Sequence, residues 1–301
     1  MKIIDILNKK DYMLSFEVFP PKTDSNYENV AQAVKKIGAL HPDYMSITYG
    51  AGGGTSRHTI SMAAELKEQY GVSTMTHLTC VSSNREQIKS QLDRLRSAGI
   101  ENVLALRGDI PPGMTAPFTG DYPYASELIR EIRSYGGFCI GGACYPEGHI
   151  ESLDLKSDIA HLKEKADAGC DFLTTQMFFD NHILYNFLYK IREAGITIPI
   201  VAGIMPVTNK KQIKRICQLS GTQLPQRFRM ILDRFGDQPA AMKQAGIAYA
   251  TEQIIDLMAN GINAVHVYSM NHPDVAQKIQ ENLSEIVPSI REGGRYADVC
   301  A

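Results

Sequence analysis

The sequence predicts a single (β/α)8 barrel of the TIM type spanning residues 1–301. Three observations lead there. Eight apolar runs of strand type alternate with sequence of helical period, which implies parallel strands joined by right-handed crossovers. Most strand starts fall about thirty residues apart, the length of one βαβ unit. No linker, low-complexity tract or charge block interrupts the alternation. Eight units close most naturally into a barrel, and a doubly wound open sheet is the competing arrangement.

Each element has its own signal. Leu14-Ser15-Phe16-Glu17-Val18-Phe19 is an aromatic-rich strand stopped by Pro20-Pro21. Val30, Val34, Ile37 and Leu40 recur at helical spacing and lead to a second strand, Tyr44–Tyr49. Gly50–Gly54 and a helix over 57–70 follow, then the strand Ser73–Cys80. A helix over 84–98 closes at Gly99, before Asn102–Arg107 and the loop Gly108–Gly113. A helix over 123–135 precedes Phe138–Tyr145, again stopped by proline. Helices over 154–168 and 181–194 end at Gly169 and Gly195, before Phe172–Phe178 and Ile198–Pro206. Helical sequence from about 208 to Asn260 leads to the eighth strand, Ala264–Ser269. Residues 273–285 read as helix and 286–301 as a loose tail.

Composition narrows the function. The chain has 44% hydrophobic and 21% charged residues and a net charge of −2, which gives no field for nucleic acid or an anionic membrane. No apolar run is long enough to span a bilayer, and Met1-Lys2-Ile3-Ile4-Asp5 does not open a signal peptide. The six cysteines include no CxxC pair and read as free thiols of a cytoplasmic protein, with no metal site.

Strand alternation then picks out the chemistry. Phe16 and Val18 share one face with Leu14, so Glu17 shares the other with Ser15 and Phe19. Every strand of a barrel is central, which turns Glu17 into the interior near the end where such barrels build active sites. The same alternation points Thr48 inward with Ser46 and Tyr44, and puts Gln176 with Thr174. A buried primary amide needs several partners, so Gln176 reads as a ligand contact, whereas Thr48 and His77 suit either core or site. Arg107-Gly108-Asp109 clusters at the end of the fourth strand, where a loop-fixing Arg–Asp ion pair is the plain alternative to a site. Gly52-Gly53-Gly54 matches no phosphate-loop pattern. Two carboxylates at one barrel mouth, Glu17 and Asp109, point to proton transfer with stabilisation of a cation. The residues alone leave non-redox lyase or aldolase chemistry open.

The motifs together resemble the methylenetetrahydrofolate reductase family. They are Ser15-Phe16-Glu17-Val18-Phe19-Pro20-Pro21-Lys22, Ser46-Ile47-Thr48-Tyr49-Gly50-Ala51, His77-Leu78-Thr79-Cys80 and Ala105-Leu106-Arg107-Gly108-Asp109. Tyr145-Pro146-Glu147, Thr175-Gln176-Met177-Phe178-Phe179-Asp180, Gly203-Ile204-Met205-Pro206-Val207 and His266-Val267-Tyr268-Ser269-Met270-Asn271 extend the match over residues 13–271. The resemblance implies a barrel with FAD that takes hydride from NADH or NADPH and reduces 5,10-methylenetetrahydrofolate to 5-methyltetrahydrofolate in one-carbon metabolism. It implies that Glu17 protonates folate N5, that Asp109 stabilises the resulting iminium and influences the flavin, and that Gln176 binds folate. Thr48 would lie beside flavin and nicotinamide. FAD contacts would come from Tyr49, Ala51, His77, Arg107, Gly108 and Asp109 on the early strands. Tyr124, Ala125, Tyr145, His149, Asp158 and Lys165 would complete them. A raised Glu17 pKa and an ionised Asp109 partnered by Arg107 would suit those roles. The family is commonly homo-oligomeric, and a partner subunit is compatible with it; a flavin- or folate-binding subunit of a larger electron-transfer complex is the alternative role. Lys210 stands where the family often has an aromatic, and His272 where it usually has arginine; His161 and Glu164 replace residues associated with FAD in other members.

Overall fold

The computed structural model describes residues 1–21, 26–49, 56–81, 83–109 and 121–292. Its eight strands are β1 (Met13–Val18), β2 (Tyr44–Ile47), β3 (Ser73–Thr79), β4 (Asn102–Leu106), β5 (Cys139–Cys144), β6 (Phe172–Thr175), β7 (Ile200–Ile204) and β8 (Ala264–Tyr268). All pair in parallel in sequence order, and β1 pairs with β8 to close the barrel. The expected (β/α)8 architecture is therefore present. The open doubly wound sheet is excluded by the β1–β8 ladder, in which Ser15 faces His266 and Glu17 faces Tyr268.

The helices between the strands are α2 (Tyr27–Gly38), α3 (Ser56–Tyr70), α4 (Arg85–Ser97), α5 (Ala125–Tyr135), α6 (Leu155–Asp167) and α7 (Asn181–Glu193). Local chemistry starts several of them. Asn84 and Gln87 form a reciprocal capping box on α4, and Asp154 caps α6 through the Ser157 N–H. Tyr124 stands at the N-cap of α5, so that helix begins two residues later than the expected 123.

The pleat sorts side chains into two cores. Phe16, Val18, Met45, Ile47, Val103, Ala105, Ile140, Leu173, Ile204 and Val267 face the helices in one large buried cluster. Met13, Tyr44, Met75, Leu104, Cys139, Phe172 and Val201 fill the barrel interior. Each large buried apolar side chain contributes about 1.5–3 kcal/mol by leaving water. The interior set is completed by Ile3 and Ile6 of α1 (Ile3–Lys9), which plugs the N-terminal mouth. Asn102 holds that plug, its Oδ1 accepting the Ile3 N–H at 2.8 Å. The sequence did not signal α1, because a seven-residue helix carries too little periodicity to register.

The irregular interval between β7 and β8 is three helices: α8 (Lys210–Ser220), α9 (Gln226–Phe235) and α10 (Pro239–Ala259). They form a satellite core with residues that follow β6 and β7. Met177, Phe179 and Val207 pack with Ile213, Phe228, Leu232 and Met242, and the Phe179 and Phe228 rings stack at 5.3 Å. This core lies on the C-terminal side of the barrel and widens that rim. After β8, α11 (Pro273–Asn282) is followed by α12 (Ile286–Glu292), where a loose tail was expected. Ile286, Val287 and Ile290 lie against the main core and account for the helix, while 293–301 fall outside the described residues.

Gly203 of β7 shows how tightly the upper barrel is built. A Cβ there would stand 2.3 Å from the Thr175 carbonyl oxygen and 2.5 Å from the Tyr268 hydroxyl. Its absence lets Tyr268 cross β7 and donate to the Thr175 carbonyl at 2.5 Å. Gly203→Ala is expected to lower the unfolding free energy by about 1–3 kcal/mol through overpacking, read as a lower urea midpoint at unchanged slope.

Candidate active site

Glu17 sits at the penultimate position of β1 and points inward, as alternation requires. Its side chain is only 13% exposed. Ser46 is its register partner on β2, and the Ser46 hydroxyl lies 3.4 Å from Glu17 Oε2. His77 Nε2 is also 3.4 Å from Oε2, close enough for a charge interaction but without hydrogen-bond geometry. His266 Nε2 is 3.9 Å from the same oxygen. Three strands thus aim one hydroxyl and two imidazoles at one carboxylate.

His266 is fixed by its own partners. Ser15 Oγ donates to the Val265 carbonyl at 3.0 Å, so towards His266 Nδ1, 2.7 Å away, it acts as the acceptor. Nδ1 therefore carries a proton. Nε2 lies 2.9 Å from Ser46 Oγ, which has a single proton to give. If Ser46 donates to Nε2, the imidazole is neutral. If Ser46 donates to Glu17, Nε2 must hold a proton and His266 is an imidazolium. The hydroxyl couples the protonation of Glu17 to that of His266. The Tyr44 ring stacks on His266 at 5.3 Å and supports it from below.

The electrostatics correct one expectation. Burial pushes the Glu17 carboxyl up, but the facing imidazoles of His266 and His77 and the Ser46 hydroxyl together hold it below its ordinary value. The sequence predicted a raised value because burial was legible and the facing imidazoles were not. Burial in turn pushes His77 down, partly offset by Glu17 and reinforced by His266. Tyr268, opposite Glu17, is driven well above the usual tyrosine range by burial and by the carboxylate, so it stays a phenol.

A second group lines the wall formed by β4, β5 and α6. Arg107 forks onto Glu151, with both hydrogen bonds at 2.6 Å. The alternative of an Arg107–Asp109 ion pair is thus not the arrangement found; Asp109 is exposed at the rim. Tyr145 meets His149 edge to face at 4.6 Å, and the Glu151 N–H donates to His149 Nδ1 at 3.1 Å. Burial raises Tyr145 to about 12 and lowers His149. Buried Asp158 accepts from Ser152 at 2.8 Å. The Lys165 ammonium reaches back to the Ala143 carbonyl at 2.6 Å, and burial holds its pKa below the ordinary lysine value.

The remaining expected residues divide. Thr48 and Tyr49 are half-buried just past the end of β2, and the Thr48 N–H donates to the Val18 carbonyl at 3.0 Å. Gln176 lies one residue beyond β6, not within the strand, with its side-chain oxygen accepting the Met177 N–H at 2.9 Å. Gly108 adopts φ +91, and a Cβ there would meet Thr79 and Val81 at 3.1 Å, so the backbone turns tightly beside Arg107. Tyr124 is 58% exposed at the start of α5, with Ala125 the first residue of that helix. Ala51 and Gly52-Gly53-Gly54 lie outside the described residues. Sequence reasoning gave no role to Ser15, Ser46, His266, Tyr268 or Glu151. Alternation on β1 and β2 already turned Ser15 and Ser46 inward, and His266 and Tyr268 were recoverable by applying it to β8, where they share the inward face. Among the described residues no group of three or more His, Cys, Asp or Glu is placed to hold a metal ion.

A closed parallel barrel with an ionisable cluster sunk in its C-terminal mouth is the architecture of a barrel enzyme. Comparisons with known proteins narrow the class. A family model described as methylenetetrahydrofolate reductase matches residues 2–284. The chain is 37% identical over 303 residues to methylenetetrahydrofolate reductase (NADH) 1 of Arabidopsis thaliana, covering 95% of this chain and 51% of that protein. It is 31% identical to 5,10-methylenetetrahydrofolate reductase of Escherichia coli (strain K12), covering 90% of each. The chain therefore belongs to the methylenetetrahydrofolate reductase family. It spans about half the length of the plant relatives it matches. An uncharacterized Clostridium thermocellum protein, described as binding two copies of 5-methyl-5,6,7,8-tetrahydrofolic acid, shares the fold with a TM-score of 0.65 at 14% identity.

The buried imidazole has a consequence for stability. In the unfolded chain His77 titrates near its ordinary value of 6.5, and in the folded protein it takes up its proton only at lower pH. Below about pH 6.5 the unfolded state therefore binds more protons, and stability falls as pH falls. The depressed Glu17 adds a loss of its own only in more acid solution, as pH drops through its folded value. The urea midpoint is expected to fall between about pH 7.5 and 5.5, and to fall less in His77→Gln.

Proposed function

We propose that this protein reduces 5,10-methylenetetrahydrofolate to 5-methyltetrahydrofolate with FAD and a reduced nicotinamide, in the reducing cytoplasm. One observation carries the reading: a family member keeps an inward carboxylate at the barrel mouth, faced by two imidazoles and a hydroxyl. The described cysteines are free, four of them buried, which suits a cytoplasmic setting.

The β4–β5–α6 wall fits a dinucleotide. Lys165 is half-buried and its ammonium hydrogen-bonds a neutral carbonyl, an arrangement that an anionic ligand would improve. Arg107 presents a guanidinium fork beside the tight Gly108 turn, and the two cations together suit a diphosphate. Tyr145, His149 and Asp158 flank that place, and Thr48, Tyr49 and His77 are the contacts proposed from just past β2 and from β3. When bound, FAD supplies the acceptance of hydride from NADH or NADPH and its delivery to the folate.

The chain's own residues handle the proton. Glu17 gives its proton to N10 of the folate and not, as the resemblance implied, to N5. The product keeps its methyl on N5, so the bond from the methylene carbon to N10 is the one that breaks. N10 takes the proton, and the N5 lone pair forms the methylene iminium cation. Its lowered pKa means that it rests ionised, so the proton must reach it as substrate covers the mouth. Further desolvation by bound ligands favours the neutral acid, and Ser46 connects Glu17 to the imidazole of His266. Asp109, at the rim, lies near enough to Tyr145 to influence its ionisation and stabilises the cation through its charge. Gln176, just past β6, hydrogen-bonds the folate. A nicotinamide and then the folate use the same face in turn.

Three outcomes test the reading. Purified protein is expected to carry, or take up, a flavin absorbance spectrum; no uptake from added FAD would contradict it. Glu17→Gln is expected to keep flavin reduction by nicotinamide and to slow folate reduction by about 10²–10⁴-fold, measured by stopped-flow on each half-reaction. Asp109→Asn is expected to weaken folate binding and slow its reduction by about tenfold or more; unchanged kinetics would remove Asp109 from the site.

A further inference from the structure

We propose that the Glu151 carboxylate is an internal stand-in for a phosphate of the dinucleotide, occupying Arg107 until the cofactor displaces it. The inference rests on the dinucleotide reading above and extends it to a residue that no motif singled out. A carboxylate and a phosphate present the same pair of acceptor oxygens to a guanidinium fork, and Glu151 takes that fork symmetrically, at 2.6 Å to each terminal nitrogen. The Arg107 side chain is 17% exposed and fixed at the end of the barrel, whereas Glu151 is 43% exposed on the loop that follows β5.

That loop is built to let go. Its backbone is made of local turns, with the Gly148 N–H donating to the Tyr145 carbonyl and the Ser152 N–H to the His149 carbonyl, both at 2.9 Å. Gly148 holds φ +88. On either side of Glu151 the apolar residues face solvent: Ile150 is 61% exposed and Leu153 93%. Apolar burial therefore does little to hold the segment, and the Arg107 fork is its strongest tie to the barrel. Charge count points the same way. The wall carries two fixed cations, Arg107 and Lys165, and two carboxylates, Glu151 and Asp158. Asp158 is buried and bonded to Ser152, so it stays. A diphosphate entering beside an unmoved Glu151 would leave the wall with excess negative charge. Release of Glu151 removes one of those negative charges and reduces the excess.

The competing role, in which Glu151 orients Arg107 for the ligand, gives the opposite sign in one experiment. Protein stripped of flavin is titrated with FAD, and the dissociation constant is read from quenching of flavin fluorescence. Wild type, Glu151→Gln, Arg107→Ala and the double variant are compared, with circular dichroism to show that each is folded. Glu151→Gln is expected to tighten FAD binding about three- to tenfold, the range of a partly exposed bidentate pair. Arg107→Ala is expected to weaken it, and Glu151→Gln to change nothing further in that background. Inorganic pyrophosphate is expected to compete with FAD more effectively in Glu151→Gln than in wild type. Weaker or unchanged FAD binding in Glu151→Gln would overturn the stand-in role while leaving the dinucleotide reading in place. Failure of every variant and of wild type to bind FAD would overturn both.

Discussion

A carboxylate buried inside a closed barrel has nowhere to send its charge, and the arrangement of the mouth follows from that. Closure removes the sheet edge at which a strand glutamate is ordinarily solvated. Taking an unpaired carboxylate out of water is far costlier than any single hydrogen bond can offset. The barrel answers with Ser46 from the neighbouring strand on one side, His266 from the neighbouring strand on the other and His77 from β3. The result is a carboxylate set among a hydroxyl and two imidazoles, which together hold its resting pKa down. On the proposed function, proton donation then awaits ligand binding, which desolvates the cluster further.

The interior is graded to make this affordable. Toward the N-terminal mouth it is apolar, with Met13, Met75, Leu104 and Phe172 closed off by Ile3 and Ile6 of α1. Toward the C-terminal mouth the inward positions become Glu17, Ser46, His77, His266 and Tyr268. The transition is marked by Tyr44, which belongs to the apolar layer and stacks on the His266 ring. Above it, Gly203 gives up its side chain so that Tyr268 can span to the carbonyl of Thr175. Apolar plug, stacked ring and spanning tyrosine hold this polar layer in place.

Much of this was legible in the sequence, for a specific reason. Period-two alternation and the count of eight strands place Glu17 inward without any knowledge of contacts, and the closed β1–β8 ladder agrees with that count. What alternation cannot supply is which inward residues meet. His77 and His266 are 189 positions apart in the chain, and only the register brings them to one oxygen. The raised pKa expected for Glu17 failed for this reason. Arg107 paired with Glu151 and not with its sequence neighbour Asp109, because the loop after β5 returns across the end of β4. The helix α1 was too short to show a period, and α12 too short for Ile286, Val287 and Ile290 to outweigh a terminal position. The motif resemblance reached further than geometry at the site, since it named the family that the comparisons then showed.

The central claim is that Glu17 rests ionised among its imidazole partners and is protonated only as the mouth fills. Infrared difference spectroscopy between wild type and Glu17→Gln, in ligand-free protein at neutral pH, measures that directly. The account predicts the carboxylate stretches of an ionised Glu17, replaced by a protonated carbonyl band when folate is bound. A protonated carbonyl band already present in the ligand-free protein would contradict it.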